Sequence, residues 1–154
     1  RYFLNFLMEE SCGICTPCRE GILRMHEILT DITEGLGTPE QLELLEELAL
    51  VVKDASLCAL GGTAPNPVLT TLRYFRHEYE AHINERKCPA GVCRNLITYS
   101  IDPLLCTGCL ACQRVCPSEA VTGEKQKPHW INVELCIKCG ACQESCNFDA
   151  VKVA

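Results

Sequence analysis

The sequence is unusually rich in thiols: 14 of its 154 residues are cysteine, and most of them stand in runs with two residues between neighbours. Such a run lets a short loop turn several thiols towards one point, as a metal centre requires and a series of adjacent disulfides does not. The even count also allows the disulfide scaffold of a secreted protein. The spacing favours metal ligation.

Two runs have the spacing C-x2-C-x2-C-x3-C, which is typical of bacterial proteins with two [4Fe–4S] clusters. In this pattern the fourth cysteine of each run ligates the other cluster, so we expect crossed ligation. The predicted ligands are Cys106, Cys109, Cys112 and Cys146 for one cluster, and Cys136, Cys139, Cys142 and Cys116 for the other. A zinc ribbon would instead need two pairs of ligands. Asn147 replaces the proline that usually follows the fourth cysteine, which removes no ligand.

The cysteine runs belong to an internal repeat. Residues 101–106 are echoed by residues 131–136, and residues 118–121 correspond to residues 148–151. The repeat predicts a pseudo-twofold, ferredoxin-like domain with two [4Fe–4S] clusters over residues 98–154.

The preceding part of the chain is predicted to be helical. Apolar residues recur at helical spacing over residues 2–10, 19–33 and 66–82. A further helix over residues 39–55 begins with Thr38 as its cap and Gln41 at the third helical position. Four such helices make a small bundle over residues 1–83, so the fold class is α+β, with a four-helix bundle before the ferredoxin-like domain.

A third cysteine run, Cys12, Cys15 and Cys18, lies between the first two predicted helices and lacks a fourth ligand. Cys58 is the candidate. It follows the end of the third helix, and an antiparallel bundle could return it to the same end. On spacing alone, a free buried thiol is the alternative.

Residues 84–97 are rich in turn formers and are interpreted as a linker. Cys88 and Cys93 lie in it, with His82 and His77 a short way upstream, and these residues could hold a structural zinc ion. His77 fits less well, because five residues along a helix turn it about 140° away from His82. The alternatives are two free thiols or a Cys88–Cys93 disulfide, with solvated histidines.

The helical half resembles the FMN- and NADH-binding flavoprotein subunit of respiratory complex I and its soluble relatives. The resemblance rests on the E-S-C-G-x-C-x-P-C-R loop of residues 10–19 and the S-L-C-A-L-G segment of residues 56–61. It implies that Cys12, Cys15, Cys18 and Cys58 bind a [4Fe–4S] cluster that receives electrons from FMN. With its appended two-cluster domain, the chain resembles the flavoprotein (beta) subunit of multimeric NAD(P)-dependent [FeFe] hydrogenases, including electron-bifurcating ones, and of related formate dehydrogenases.

The remaining features narrow the classes of function. A net charge of −6 argues against nucleic acid as a partner. No apolar run approaches the roughly 20 residues that cross a bilayer, so we expect a cytoplasmic protein without direct membrane insertion. The chain has no glycine-rich phosphate loop and starts without methionine inside a predicted helix. We therefore expect a fragment whose FMN and NAD(P) sites lie in a missing upstream part.

The leading hypothesis is an iron–sulfur electron relay in a hydrogenase or dehydrogenase complex. Single electrons would pass from the flavin side through three [4Fe–4S] clusters to a ferredoxin or a partner subunit. The rival hypothesis is a non-redox, zinc-binding interaction module.

Overall fold

The structure is a computed structural model that describes residues 1–153. The chain divides into two compact units, Arg1–Leu96 and a second that begins at Ile97. The first unit is helical, and the second carries two small antiparallel sheets with short helices. The chain is therefore a mixed α and β protein, as the sequence predicts.

The four longer helices of the helical unit overlap the segments in which the apolar spacing predicts helices. The helices of this unit are α1 (Tyr2–Glu10), α2 (Thr16–Glu34), α3 (Pro39–Ala55), α4 (Ala59–Thr63) and α5 (Asn66–Glu80), followed by a π-helical turn (Ala81–Glu85) and a 3-10 turn (Arg94–Leu96). Helix α2 packs against α1 and α3, and α3 packs against α5. The short helix α4 was not expected from the sequence, because five residues are too few to show a helical period. Helix α5 ends at Glu80 rather than at His82, which lies in the π-helical turn.

The start of α3 is fixed by the predicted capping box. The backbone N–H of Gln41 donates to Thr38 Oγ1 at 3.4 Å, and the backbone N–H of Thr38 donates to Gln41 Oε1 at 3.0 Å. Two of the backbone donors at the helix end are thereby paired, a contribution of about 1 kcal/mol. The apolar stripe of α3 faces the core, and Leu45 and Ala49 are fully buried in it.

The helices α2 and α3 approach closely at Gly21. A Cβ built on this residue would lie 2.2 Å from Val52 Cγ2, so only glycine fits between the two helices here. Helix α2 then ends at Gly35, whose φ of +79° is the left-handed conformation that glycine adopts without strain. The 3-10 turn packs against α2, and Leu96 lies against Gly35.

The second unit is built twice from the same parts. Strand β1 (Tyr99–Ile101) pairs with β4 (Val151–Val153), and β2 (Val121–Thr122) pairs with β3 (Trp130–Ile131). The register joins Ile101 to Val151 and Ile131 to Val121, so the internal repeat relates one pair to the other. Each half adds one short helix, α6 (Ala111–Arg114) or α7 (Ala141–Glu144), within its cysteine run.

Within residues 1–153, no helix combines the length and the apolar character that crossing a membrane demands.

Candidate metal centres

The loop between α1 and α2 gathers the first three cysteines. Gly13 has a φ of +72°, which lets the backbone reverse between the two helices. The Arg19 guanidinium donates to the Gly13 carbonyl oxygen at 2.7 Å, and Ser11 Oγ lies 3.4 Å from Cys18 Sγ. Cys18 is buried at the start of α2, whereas Cys12 is exposed.

The structure brings the segment around Cys58 against this loop. Cys58 is the N-cap residue of α4. On one side of it, the backbone N–H of Leu57 hydrogen-bonds the Cys15 thiol, and this bond is the main cause of the lowered pKa of Cys15. On the other side, Gly61 packs against Cys18, since a Cβ on Gly61 would lie 3.2 Å from Cys18 Cβ. Cys12, Cys15, Cys18 and Cys58 together are called the helical site.

The ferredoxin-like unit contains two similar cavities. The first cavity is lined by one crossed set of thiols, Cys106, Cys109, Cys112 and Cys146. The second cavity is lined by the other crossed set, Cys136, Cys139, Cys142 and Cys116. In each run the fourth cysteine thus lies at the cavity of the opposite run, as the spacing predicts.

The electrostatics show that the thiols of each run converge. Burial is the main cause that raises the pKa of Cys112, and the nearby thiols of Cys106 and Cys109 raise it further. Burial and Cys136 likewise raise the pKa of Cys142, to about 11. Thiolates this close repel one another, so a bound cation is needed to hold them ionised together.

The distances between donor atoms show where a single metal ion could be held. Zinc holds its thiolates at about 2.3 Å, which places the sulfur atoms of a tetrahedral site roughly 3.8 Å apart. Among residues 1–153, only His82, Cys88 and Cys93 bring three such donors within 4.8 Å of one another. The four-cysteine sets around the two cavities and at the helical site contain no three donors that close.

One residue of the first cavity was missed by the sequence interpretation. His129 lines this cavity and is buried, and its Nε2 has no hydrogen-bond partner within the described chain. The repeat could have indicated it, because His129 occupies the position of Tyr99 in the other half.

The group of His82, Cys88 and Cys93, called the His82 site, has the geometry of an ion site. His82 Nδ1 lies 2.6 Å from the Glu78 carbonyl oxygen, which fixes the ring and turns Nε2 to within 3.4 Å of Cys93 Sγ. The backbone N–H of Cys93 donates to Cys88 Sγ at 3.4 Å. A histidine held by a carbonyl through one nitrogen and offering the other is a frequent arrangement at zinc.

The two thiols of the His82 site have opposite pKa shifts. Burial opposes ionisation of Cys88, but backbone N–H groups of Cys93 and Val92, together with the Cys93 and His82 side chains, lower its pKa to about 7. Burial and the adjacent Cys88 raise the pKa of Cys93 to about 11. His77 is not part of this group, and its ring centroid lies 6.5 Å from that of Phe75.

The segment interpreted as a linker is folded onto the helical unit. The boundary between the units falls after Leu96, so the residues of the His82 site all belong to the first unit. Leu96 is buried, and the 3-10 turn that contains it packs on α2.

Clustered thiols on a helical unit and on a repeated two-sheet unit define an iron–sulfur electron-transfer protein. Comparison with known proteins is more specific. Residues 1–82 match the family described as NADH-ubiquinone oxidoreductase-F iron-sulfur binding region, and residues 98–147 match the 4Fe-4S dicluster domain. The chain therefore belongs to the NADH-ubiquinone oxidoreductase-F iron–sulfur family and carries a dicluster domain after it.

Individual relatives agree with this family. The chain is 54% identical over 129 residues to the NADP-reducing hydrogenase subunit HndC of Solidesulfovibrio fructosivorans, covering 84% of this chain and 26% of that protein. It is 39% identical over 81 residues to the mitochondrial NADH dehydrogenase [ubiquinone] flavoprotein 1 of Dictyostelium discoideum, covering 53% of this chain and 17% of that protein. The matched part of the chain thus spans about a quarter or less of the length of these relatives.

A solved structure matches as well. It is a crystal structure of an NAD+-reducing [NiFe]-hydrogenase in the H2-reduced state, with a TM-score of 0.51 and 36% sequence identity. The match covers 54% of this chain and 14% of the hydrogenase chain.

Proposed function

We propose that this chain relays single electrons through three [4Fe–4S] clusters, one at the helical site and one in each cavity of the ferredoxin-like unit. Each cluster accepts and releases one electron without making or breaking a bond to substrate. The observation that carries the proposal is the pair of cavities, each lined by four cysteines, three from one run and one from the other. The proposed ligands are the residues of the three sites as given above.

The residues around the proposed clusters would set the reduction potentials of the clusters and exclude water from them. Apolar side chains such as Ile101 and Phe148 wall the first cavity, and Val121 and Ile131 wall the second. Burial disfavours the added negative charge of a reduced cluster, whereas hydrogen bonds to sulfur favour it. In the helical unit, helices α1, α2, α3 and α5 serve as a bundle that holds the cysteine loop and Cys58 at one end.

The larger protein is proposed to be the flavoprotein subunit of a cytoplasmic, NAD(P)-linked hydrogenase or dehydrogenase complex. FMN and the nucleotide would bind in a part outside this sequence, since relatives named for NADP, NADH and NAD+ chemistry are about three to four times as long as this chain. Other subunits of the complex, or a ferredoxin, would exchange electrons with the clusters.

The His82 site is proposed to hold one zinc ion with a structural role. Two thiols and an imidazole nitrogen suit zinc, and its fourth position is left for solvent or for a group from another chain. The ion would fasten residues 82–96 to the helical unit, to which this segment is otherwise tied by small apolar contacts such as that of Leu96. His77 has no place in this proposal.

Metal analysis tests the function directly. The chain is purified without oxygen, and iron, acid-labile sulfide and zinc are measured per chain. We expect about twelve iron atoms, as three four-iron clusters require, and about one zinc. EPR spectra of the reduced protein should contain three cluster signals. A colourless protein with zinc at all four sites would overturn the relay and favour the interaction module.

A further inference from the structure

His129 is a buried titratable residue that none of the proposed ligand sets uses. Only 3% of its surface is exposed, and its side chain lines the first cavity. Its backbone N–H donates to Cys106 Sγ at 3.4 Å, and its ring Nδ1 lies 3.9 Å from the same sulfur. Within residues 1–153 the other ring nitrogen, Nε2, has no hydrogen-bond partner. The ring is therefore placed against sulfur and lacks protein partners elsewhere.

The fold holds this ring firmly in place. His129 directly precedes β3 and lies over Gly123, where a Cβ would be 2.6 Å from His129 Cδ2. The loop that joins β2 to β3 is tied to the cysteine run, because the Gln126 backbone N–H donates to the Gly108 carbonyl oxygen at 3.0 Å. A side chain at Gly108 would collide with this loop, since its Cβ would lie 2.4 Å from the Lys127 nitrogen. The imidazole thus has little freedom to turn away from the cavity.

The internal repeat supplies a comparison within the same molecule. Aligning Ile101 with Ile131 places Tyr99 at the position of His129, and Tyr99 lines the second cavity. Its hydroxyl lies against Gly140, 3.2 Å from where a Cβ would stand. The two cavities therefore share their thiols and apolar walls but differ in one side chain, an imidazole in the first and a phenol in the second.

We propose that His129 donates a ring N–H to the sulfur atoms of the cluster in the first cavity and thereby raises the reduction potential of that cluster. The inference rests on the proposed function, in which a cluster binds there. One electron enters the cluster on reduction, and His129 keeps its proton and forms no bond to iron. A donor at sulfur stabilises the added negative charge, so it favours the reduced state. His129 thus acts on the cluster through a hydrogen bond and is not an iron ligand.

Two pairs of variants separate the hydrogen bond from the packing. His129→Phe keeps an aromatic ring and removes both nitrogens, while Tyr99→Phe is the matched change at the second cavity. His129→Gln keeps an N–H donor, while His129→Met has a side chain of similar length without one. The full chain is purified anaerobically, iron is counted, and each cluster is titrated by EPR at constant pH. The signal of the first cavity is identified as the one that Cys146→Ser perturbs.

We expect His129→Phe and His129→Met to retain full iron. In both variants the cluster of the first cavity should have a lower reduction potential. A loss of one hydrogen bond to a charged group corresponds to about a tenfold change in the ratio of reduced to oxidised cluster, or about 59 mV for one electron. His129→Gln should recover most of that shift. The clusters of the second cavity and the helical site should keep their potentials, and Tyr99→Phe should leave the first cavity unchanged.

Other outcomes separate the proposed role of His129 from the proposed electron relay. Full iron with unchanged potentials in His129→Phe overturns the role of His129 and leaves the relay intact. If His129→Phe loses a cluster, the comparison of His129→Gln with His129→Met tests the proposal instead. Equal potentials of the first-cavity cluster in these two variants also overturn the role of His129. Wild-type protein without clusters overturns the relay, and the role of His129 with it.

Discussion

The two adjacent glycines of α4 give a matched test of how this helix is seated against the cysteine loop. An alanine at Gly61 would place its Cβ 2.5 Å from the Cβ and Oγ of Ser56 and 3.2 Å from Cys18 Cβ. At Gly62 the nearest atom is the Lys53 carbonyl oxygen at 3.6 Å, which is an ordinary contact. Gly61→Ala should therefore push α4 away from the loop, whereas Gly62→Ala should leave it in place.

The magnitude follows from two opposing effects. Either alanine favours the helix by up to about 1 kcal/mol relative to glycine. Gly61→Ala also costs about 1–3 kcal/mol of overpacking, because carbon atoms normally approach no closer than about 3.5 Å. We expect the two variants to differ by about 1–3 kcal/mol in the free energy of unfolding. Gly61→Ala should also lose the iron of one cluster, since Cys58 begins the displaced helix, whereas Gly62→Ala should keep it.

Iron per chain, EPR of the reduced protein and urea denaturation measure these effects. A rescue tests the cause, because adding Ser56→Gly to Gly61→Ala removes the two atoms nearest to the new Cβ and should restore iron. Ser56→Gly alone is the reference, since it also removes the hydrogen bond from Ser56 Oγ to the Val52 carbonyl. Equal iron and equal stability in Gly61→Ala and Gly62→Ala would refute the seating of Cys58 by these contacts.

The other predictions concern the ligands. Cys58→Ser should lower iron by about one third, one cluster of three, and leave the EPR signals of the ferredoxin-like unit intact; unchanged iron would contradict its role. Cys116→Ser should perturb the cluster of the second cavity, and a loss at the first cavity would show that ligation is not crossed. Cys88→Ser/Cys93→Ser should remove about one zinc and raise protease cleavage between residues 84 and 95 without loss of iron. His77→Ala is the control and should keep the zinc; iron-replete wild-type protein without zinc would end the argument for that site.

Local patterns in the sequence were sufficient to predict many of the helices and candidate ligands of this protein. The three-residue spacing of the cysteine runs, the apolar period of the helices and the capping box at Thr38 are all set by residues a few positions apart. The crossed sets of thiols around the two cavities could also be predicted, because the repeat fixes where each fourth cysteine enters. The spacing, the helical period and the cap depend on short-range geometry, which a single sequence contains in full, whereas the crossed sets follow from the known cysteine motif and its repeat.

Contacts between distant residues were decided only by the tertiary structure. Spacing left Cys58 open as a ligand or a free thiol, and it is the Leu57 N–H at Cys15 and the close fit of Gly61 on Cys18 that bring its segment to the loop. His82 lies in the π-helical turn after α5 and meets the cysteines, whereas His77 lies within α5 and does not. His129 reaches Cys106 across 23 positions of sequence. No local pattern encodes such a pairing, since it depends on how the β2–β3 loop folds back over the cysteine run.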